Sequence, residues 1–332
     1  MMMSRRTLVL DAIQKKQVER VPVGFWFHFA QEKEFKEGLT SPSVIKTNIE
    51  GHQKFFEEFR PDFLKLMSDG FFGYPSKEVI EAKTAQDLWE VRAIGDDHPW
   101  IQAQVALVKE LVRRFGNDVV TFYNIFSPLT FFQIIREGNS GKTVVDFYHD
   151  DAEALAHALN EIAKDIKALA VKVVREGGVD GIYFSVKNFQ DTSISIEEYL
   201  TTVGPGENEI LDAVNLESNN HILHICGYEG ARNDLRTYTK YNANIINWAV
   251  NVENISLEEG RKLFDGKVVL GGFPNSPGSL IETGSKKELE KFTDQILINA
   301  GTIGTIIGAD CTIPANLDLE RLEWIRQRAA SF

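Results

Sequence analysis

The stretch DAEALAHALNEIAKDIKALAVKVVREGGVDGIYFSV, residues 151–186, joins a long helical pattern to a short strand pattern. Apolar residues recur at helical spacing over Asp151–Glu176, whereas Gly181–Val186 is a short run of mostly aromatic and β-branched residues. The same alternation continues towards both ends of the chain. It predicts further helices at Trp100–Phe115, Ser256–Phe264, Lys286–Asn299 and Asp318–Ala329. It predicts eight strands in all, at Val21–Phe27, Phe63–Ser68, Val119–Phe126, Gly181–Val186, His221–Cys226, Asn244–Val250, Lys267–Leu270 and Thr302–Gly308.

Strands that alternate with helices demand parallel pairing with right-handed crossovers. Eight such units can close into a (β/α)8 TIM barrel, which typically needs about 250 residues, and we predict this fold as a single domain over residues 1–332. A doubly wound open sheet is the alternative, although no G-x-G-x-x-G motif follows a predicted strand. An N-terminal helical extension capped by Ser4 is expected in place of a signal peptide. The long segment Asp69–Asp97 is expected to form a lid or a rim.

Composition argues against several classes of function. The 332 residues carry 48 acidic and 36 basic side chains, a net charge of -12 at pH 7. This balance disfavours nucleic acids and anionic membrane surfaces as partners, because both require clustered positive charge. Two cysteines give no disulfide framework, so a reducing, cytoplasmic location is expected. The sequence contains no run of about 18 apolar residues, so no membrane span is predicted.

Side chains capable of chemistry stand where the predicted strands end. In a barrel of this kind, functional residues lie at the carboxyl ends of the strands. His224 and Cys226 end one strand and would point to the same face, with Cα atoms roughly 6.5 Å apart. Cys311, the only other cysteine, follows the last strand. The remaining strand ends carry His28, Asp69, Asn124, Lys187, Trp248, Asn275 and Asp310.

His224, Cys226 and Cys311 form a candidate metal site. One imidazole and two thiolates suit zinc and leave a fourth position open, as in catalytic zinc sites. A thiol that binds at such a site loses its proton and becomes a nucleophile at neutral pH. Two alternatives stay open at this point. One is a Cys226–Cys311 disulfide, and the other is ordinary burial of these side chains in the core.

The chain resembles the uroporphyrinogen decarboxylase superfamily over nearly its full length. The resemblance is carried by QVERVPVGFW (17–26), PDFLKLMSDG (61–70), FSPLTFF (126–132), HICG (224–227) and GTIGTIIGADCTIPANLDLERLEWI (301–325). It implies a (β/α)8 barrel. It also implies one of two activities, either decarboxylation of uroporphyrinogen without a cofactor or zinc-dependent methyl transfer between a corrinoid protein and a thiol such as coenzyme M. His-x-Cys and a distant Cys mark the methyltransferase branch as zinc ligands, at positions that correspond to His224, Cys226 and Cys311.

Departures from the family pattern separate the two branches. The decarboxylase branch carries an Arg-Gln-Ala-Gly-Arg segment that grips substrate carboxylates, whereas this chain has GFWFHFA at 24–30, without arginine. Asp69 corresponds to the central aspartate of the decarboxylase, and GGFPNSP at 271–277 departs from the common Gly-Asn-x-Asp pattern. The prediction is therefore a methyltransferase that uses zinc, a corrinoid carried on a partner protein and a small-molecule thiol. A decarboxylase and a non-catalytic corrinoid- or metal-binding protein are the alternatives.

Five further residues are candidates for the site. His28 and Asp69 are predicted catalytic residues, because His28 could contact substrate and Asp69 could orient substrate or act as a base. Asn124, Lys187 and Gln190 are predicted to bind the corrinoid at the mouth of the barrel. Ordinary alternatives are a loop hydrogen bond for His28, helix capping for Asp69, and exposed loop polarity for Lys187 and Gln190.

Overall fold

A computed structural model describes residues 3–136, 141–227 and 230–332 of the chain. Within these ranges, the core of the fold is one curled sheet of seven parallel strands, each paired with the next one along the chain. The strands are β1 Phe63–Leu66, β2 Val120–Phe126, β3 Gly181–Val186, β4 Ile222–Ile225, β5 Ile245–Trp248, β6 Val268–Phe273 and β7 Thr305–Ala309. This architecture is TIM-barrel-like, as the alternation of strands and helices predicts.

The predicted first strand, Val21–Phe27, is not confirmed. This segment makes a single parallel bridge, from Val23 to Ile307 of β7. Two local features prevent a ladder: Pro22 has no N–H to donate, and the Asp62 carboxylate accepts the Val23 N–H at 2.8 Å. The segment nevertheless lies between β7 and β1, because Gly24 N donates to Ile307 O at 3.0 Å and Asp62 N donates to Val23 O at 3.4 Å.

Glycine is required where this segment crosses β1. A Cβ atom on Gly24 would lie 2.1 Å from a ring carbon of Phe63, the first residue of β1. The main chain of the segment therefore packs directly against an aromatic ring, which no larger residue allows.

The helices surround the sheet, and all those predicted by periodicity are present to within two residues at each end. Ser4 Oγ accepts the Thr7 N–H at 3.1 Å and caps the first helix, as predicted. Among the described residues, no helix is both long and apolar enough to cross a bilayer. The helices are α1 Arg5–Ile13, α2 Pro42–Phe59, α3 Lys77–Glu81, α4 Pro99–Phe115, α5 Pro128–Arg136, α6 Val144–Asp150, α7 Ala152–Arg175, α8 Ile196–Thr202, α9 Gly204–Val214, α10 Val250–Glu253, α11 Leu257–Leu263, α12 Leu280–Thr283, α13 Lys286–Ala300 and α14 Leu319–Ser331.

The segment Asp69–Asp97, predicted as a lid or rim, is packed against the body of the fold. Phe71 and Tyr74 are buried, and the Tyr74 hydroxyl donates to Asp165 of α7 at 2.5 Å. The same carboxylate accepts the main-chain N–H groups of Ile94 and Gly95, each at 2.9 Å. Asp165 therefore anchors both the start and the end of the segment.

Two apolar clusters cover the two faces of the sheet. The larger one fills the space between the strands and the helices. The smaller one lies on the concave face and comprises Val9, Ile13, Trp26, Phe63, Met67, Val120, Phe122, Tyr183, Ile222, Ile245, Val268, Leu270 and Ile306. Because side chains alternate along a strand, residues two positions beyond these strand members share their face. Four polar residues follow in this way, namely Lys65, Asn124, His224 and Asn247.

Candidate metal centre

His224, Cys226 and Cys311 lie together at the carboxyl ends of β4 and β7. The sulfur atoms of the two cysteines are 4.0 Å apart, and Cys311 Sγ lies 3.5 Å from His224 Nε2. All three ligand atoms lie within 4.8 Å of one another. No disulfide joins the two cysteines, so the disulfide considered from the sequence is wrong.

The spacing of these atoms fits a tetrahedral zinc ion. Zn–S bonds of about 2.3 Å and a Zn–N bond of about 2.0 Å require sulfurs about 3.8 Å apart and a nitrogen–sulfur separation of about 3.5 Å. The observed separations of 4.0 Å and 3.5 Å agree closely with this requirement. His224 and Cys311 are buried, whereas Cys226 is half-buried. The opening therefore lies on the side of Cys226, where a fourth ligand can approach.

The sulfur of Cys311 is placed to carry negative charge. A hydrogen bond from the Cys226 thiol holds the pKa of the Cys311 thiol well below its usual range, although burial alone would raise that pKa. The contact with the His224 ring and the positive charge of Lys65 act in the same direction as the hydrogen bond. Thiolate, and not thiol, is the form that binds a metal ion.

Asn247 on β5 has its side-chain amide fixed by the main chain of two neighbouring strands. Its Nδ2 donates to Leu270 O of β6 at 2.9 Å and to Ala309 O of β7 at 3.2 Å. Gly271 follows Leu270 with a φ of 138°, and a Cβ atom there would lie 3.2 Å from Asn247 Nδ2. Since Nδ2 must face the two carbonyls, Oδ1 faces the opposite way and can only accept.

The fixed amide sets the tautomer of His224. Asn247 Oδ1 lies 2.5 Å from His224 Nδ1 and also accepts the Tyr183 hydroxyl at 2.8 Å. An acceptor at Nδ1 places the ring proton there, which leaves the Nε2 lone pair directed towards Cys311. The imidazole is thereby held in the tautomer that a metal ion at Nε2 needs. Sequence reasoning missed both Asn247 and Tyr183, and a polar residue inside the apolar run IINW was the available signal.

Lys65 on β1 is a third residue that sequence reasoning missed. Its side chain is buried on the concave face, with Nζ 3.7 Å from the centroid of the Tyr183 ring. Burial lowers the pKa of Lys65 to about 8, and the charges of Cys311 and Cys226 limit that fall. The signal was visible in FLKLMS, where one lysine interrupts a strand that was predicted to be buried.

The structure pairs His28 with Asp69, the two predicted catalytic residues. Their Nδ1 and Oδ1 atoms are 2.7 Å apart, and Asp69 Oδ2 accepts the main-chain N–H groups of Phe29 at 2.8 Å and Ala30 at 3.2 Å. Burial would raise the pKa of Asp69, but these hydrogen bonds outweigh burial and lower the pKa below its usual value. Asp69 is fully buried and does not cap a helix, whereas the His28 side chain is 28% exposed.

The three residues predicted to bind a corrinoid do not share one environment. Asn124 is buried, and its Nδ2 donates to Ser68 Oγ at 2.8 Å. Lys187 and Gln190 lie in the loop after β3, and Gln190 has a φ of 61°. Gln190 also lines a cavity of about 720 Å³, which Asn124 and Lys187 do not line.

That cavity adjoins the metal site through Asn233. Asn233 Nδ2 donates to Cys226 O at 2.8 Å, and Asn233 Oδ1 accepts the Asn188 N–H at 2.9 Å. Arg232 and Glu253 contribute opposite charges to the cavity lining. Asn233 therefore joins the chain segment after β4 to the loop after β3, and it positions the backbone of Cys226.

The sequence model of the uroporphyrinogen decarboxylase (URO-D) family matches residues 74–332, which is most of the chain and includes all three candidate ligands. No curated protein sequence matches the chain.

Several solved structures share the fold. A methyltransferase from Methanosarcina mazei superposes with a TM-score of 0.73 at 16% identity, covering 99% of both chains. A B12-independent methionine synthase from Shewanella sp. W3-18-1, in complex with selenomethionine, has a TM-score of 0.56 at 12% identity, covering 94% of this chain and 97% of that one. A putative vitamin-B12 independent methionine synthase from Listeria monocytogenes has a TM-score of 0.55 at 14% identity, covering 95% of this chain and 99% of that one. At these identities the similarity establishes the fold and not the reaction.

Proposed function

The chain belongs to the uroporphyrinogen decarboxylase family, and from that membership and the geometry of the site we propose that it is a zinc-dependent methyltransferase. In this proposal it moves a methyl group from a corrinoid to a small-molecule thiol. One observation carries the proposal: His224 Nε2 and the sulfurs of Cys226 and Cys311 lie within 4.8 Å of one another, at spacings that suit tetrahedral zinc. The fold shared with a methyltransferase from M. mazei supports it.

The residues of the site divide the work of the proposed reaction. His224, Cys226 and Cys311 would hold zinc, whose Lewis acidity lowers the pKa of an incoming thiol. Asn247 keeps the His224 lone pair on Nε2, and the half-buried position of Cys226 gives the thiol access. The acceptor sulfur loses its proton and attacks the methyl carbon. The product would be a methyl thioether, and the electron pair of the broken bond to the methyl group would stay with the corrinoid donor.

His28 and Asp69 are proposed to receive the proton of the thiol. Asp69 accepts from His28 Nδ1, so the Nε2 lone pair of His28 is free to take up a proton. The partial exposure of His28 allows that proton to pass on to solvent. The methyl donor is proposed to be a corrinoid carried on a partner protein, which docks at the mouth near Lys187 and Gln190.

The decarboxylase alternative receives less support from the same residues. In that branch the central aspartate contacts the substrate's pyrrole N–H groups, and Asp69 holds the corresponding position. Here both Asp69 oxygens already accept hydrogen bonds from His28 and from the main chain, in a fully buried position. A carboxylate has about four acceptor sites, and a fully buried aspartate with three of them occupied is poorly placed to bind a substrate.

Metal analysis and a transfer assay test the proposal together. Protein purified without chelator is expected to contain about one zinc per chain, because the three donors match the preference of zinc. It is expected to transfer the methyl group of methylcobalamin to at least one of a panel of thiols, followed by the change in corrinoid absorbance. Cys226→Ser is expected to lose both properties, whereas His149→Ala, which removes an exposed histidine outside the site, is expected to keep both.

Three outcomes would decide against the methyltransferase. Negligible zinc in both the wild type and Cys226→Ser would remove its basis. Turnover of uroporphyrinogen by metal-free protein would establish the decarboxylase instead. Tight cobalamin binding without transfer to any thiol would indicate the non-catalytic alternative.

A further inference from the structure

Lys65 is a buried lysine whose ammonium group forms no ion pair with a carboxylate among the described residues, although the negative charge of Asp69 acts on it from a distance. The residue is 6% exposed, and among the described residues no hydrogen bond or ion pair joins its Nζ to an acidic side chain. Burying an unpaired charge costs several kcal/mol, so proteins usually pair such a group or replace it. The negative charges that act on Lys65 are those of Cys311 and Cys226 at the candidate metal site and, more weakly, that of Asp69.

Aromatic rings connect Lys65 to the metal site. Its Nζ lies 3.7 Å from the Tyr183 centroid and 5.3 Å from the Trp26 centroid, so two ring faces stabilise the cation. The Tyr183 ring in turn lies 5.0 Å, centroid to centroid, from the imidazole of His224. These contacts keep the ammonium within about 9 Å of the ligand histidine, a range over which charges in a protein interior still interact.

The net charge of the metal-loaded site determines whether Lys65 affects ligand binding there. The two thiolates of Cys226 and Cys311 balance one divalent cation, and His224 in its Nδ1–H tautomer adds no charge. The loaded centre is therefore neutral, and Lys65 has little net influence on it. Binding of an acceptor as a thiolate would add one negative charge in a buried place, and Lys65 carries a buried positive charge that would offset it.

We propose that Lys65 is the fixed countercharge for the acceptor thiolate, and that it makes the centre select an anionic sulfur ligand over a neutral ligand. This inference rests on the proposed function, because it requires a metal ion at the three donors. It makes Lys65 a positioning residue that acts through charge. It predicts that the acceptor binds with loss of its proton, and that a neutral ligand gains nothing from the lysine.

Ligand binding to the cobalt(II)-loaded protein provides the test. The absorption bands of cobalt report both an added thiolate, from titration with 2-mercaptoethanol, and an added neutral ligand, from titration with imidazole. Lys65→Met is expected to bind one metal per chain and to weaken thiolate binding roughly tenfold or more, with imidazole affinity within about twofold of the wild type. Lys65→Arg, which keeps the charge, is expected to retain thiolate binding. Lys267→Met is the matched control, because Lys267 is a half-buried lysine that donates to Tyr241 O before β6.

Two results would overturn the inference. Thiolate affinity unchanged in Lys65→Met would show that the charge has no such role. An equal loss of thiolate and imidazole binding would show that the lysine only supports the fold of the site. Lys65→Gln serves as the second charge-removing variant if Lys65→Met does not fold, and the same criteria apply. Failure of the wild type to bind metal would instead contradict the proposed function. Failure of the proposed function can therefore be distinguished from failure of the inference about Lys65.

Discussion

Replacement of Asn247 with alanine tests how the neighbouring strands of the sheet control the candidate metal site. The Asn247 amide donates two hydrogen bonds to main-chain carbonyls and accepts two from side chains, one of them on a ligand residue. Each buried group that loses its partner costs about 1 kcal/mol or more. We therefore expect Asn247→Ala to lower the free energy of unfolding of the metal-free protein by about 2–4 kcal/mol.

The larger consequence of this substitution concerns metal affinity. Without an acceptor at Nδ1, nothing holds the proton of His224 away from Nε2, and part of the protein presents the wrong tautomer to the metal. Loss of such a supporting hydrogen bond typically weakens binding about 10–100-fold, which corresponds to about 1.4–2.7 kcal/mol. Competition with a chromophoric zinc chelator measures the affinity, and urea unfolding measures the stability.

A matched asparagine serves as the control for Asn247→Ala. Asn215 also donates its side-chain N–H to a main-chain carbonyl, that of Asn242 at 2.8 Å, but it lies outside the site. Asn215→Ala is expected to keep wild-type zinc affinity. Folded Asn247→Ala protein that binds zinc as tightly as the wild type would refute the argument that the amide sets the ligand tautomer.

Three further predictions follow from the same contacts. His28→Gln should retain zinc but lower methyl transfer at least tenfold, because the proton acceptor is lost, and unchanged transfer would remove His28 from the mechanism. Burial raises the pKa of Glu207 to about 7, so the folded state binds this proton more tightly and stability falls as pH rises from about 4.5 to 7. Glu207→Gln should reduce this pH-dependent loss in the free energy of unfolding by about 3 kcal/mol, as measured by urea unfolding at several pH values. An unaltered pH dependence would contradict the role of Glu207. Gly24→Ala should destabilise the fold by about 2 kcal/mol or more, because its Cβ would lie 2.1 Å from the Phe63 ring, and an unchanged melting temperature would contradict that packing.

The sequence predicts most of the fold because its signals are local. Helices such as α7 and α13 carry a full apolar stripe and a side-chain cap at Asp151 or Ser285, so their positions follow from short-range pattern. The prediction of a strand at Val21–Phe27 is not confirmed, and the reason is a contact that is not local. Its pattern is that of a strand, but the Asp62 side chain occupies the Val23 N–H, and no local pattern reveals a partner 39 residues away.

The proximity of the three candidate ligands, His224, Cys226 and Cys311, was predictable because strand geometry fixes their positions. His-x-Cys at a strand end places two side chains on one face, and the barrel places the end of β7 close to the end of β4. The supporting residues were not predictable in the same way. Asn247 depends on contacts with two other strands, and Lys65 depends on Tyr183. Each of these contacts forms only when distant segments of the chain meet.

The central claim is that one metal ion binds to His224, Cys226 and Cys311. X-ray absorption at the zinc edge, on protein purified without chelator, tests this claim most directly. The account predicts about one zinc per chain, with two sulfur neighbours at about 2.3 Å and one protein nitrogen at about 2.0 Å. Zinc surrounded only by oxygen and nitrogen, or protein that takes up no zinc when it is offered, would contradict it.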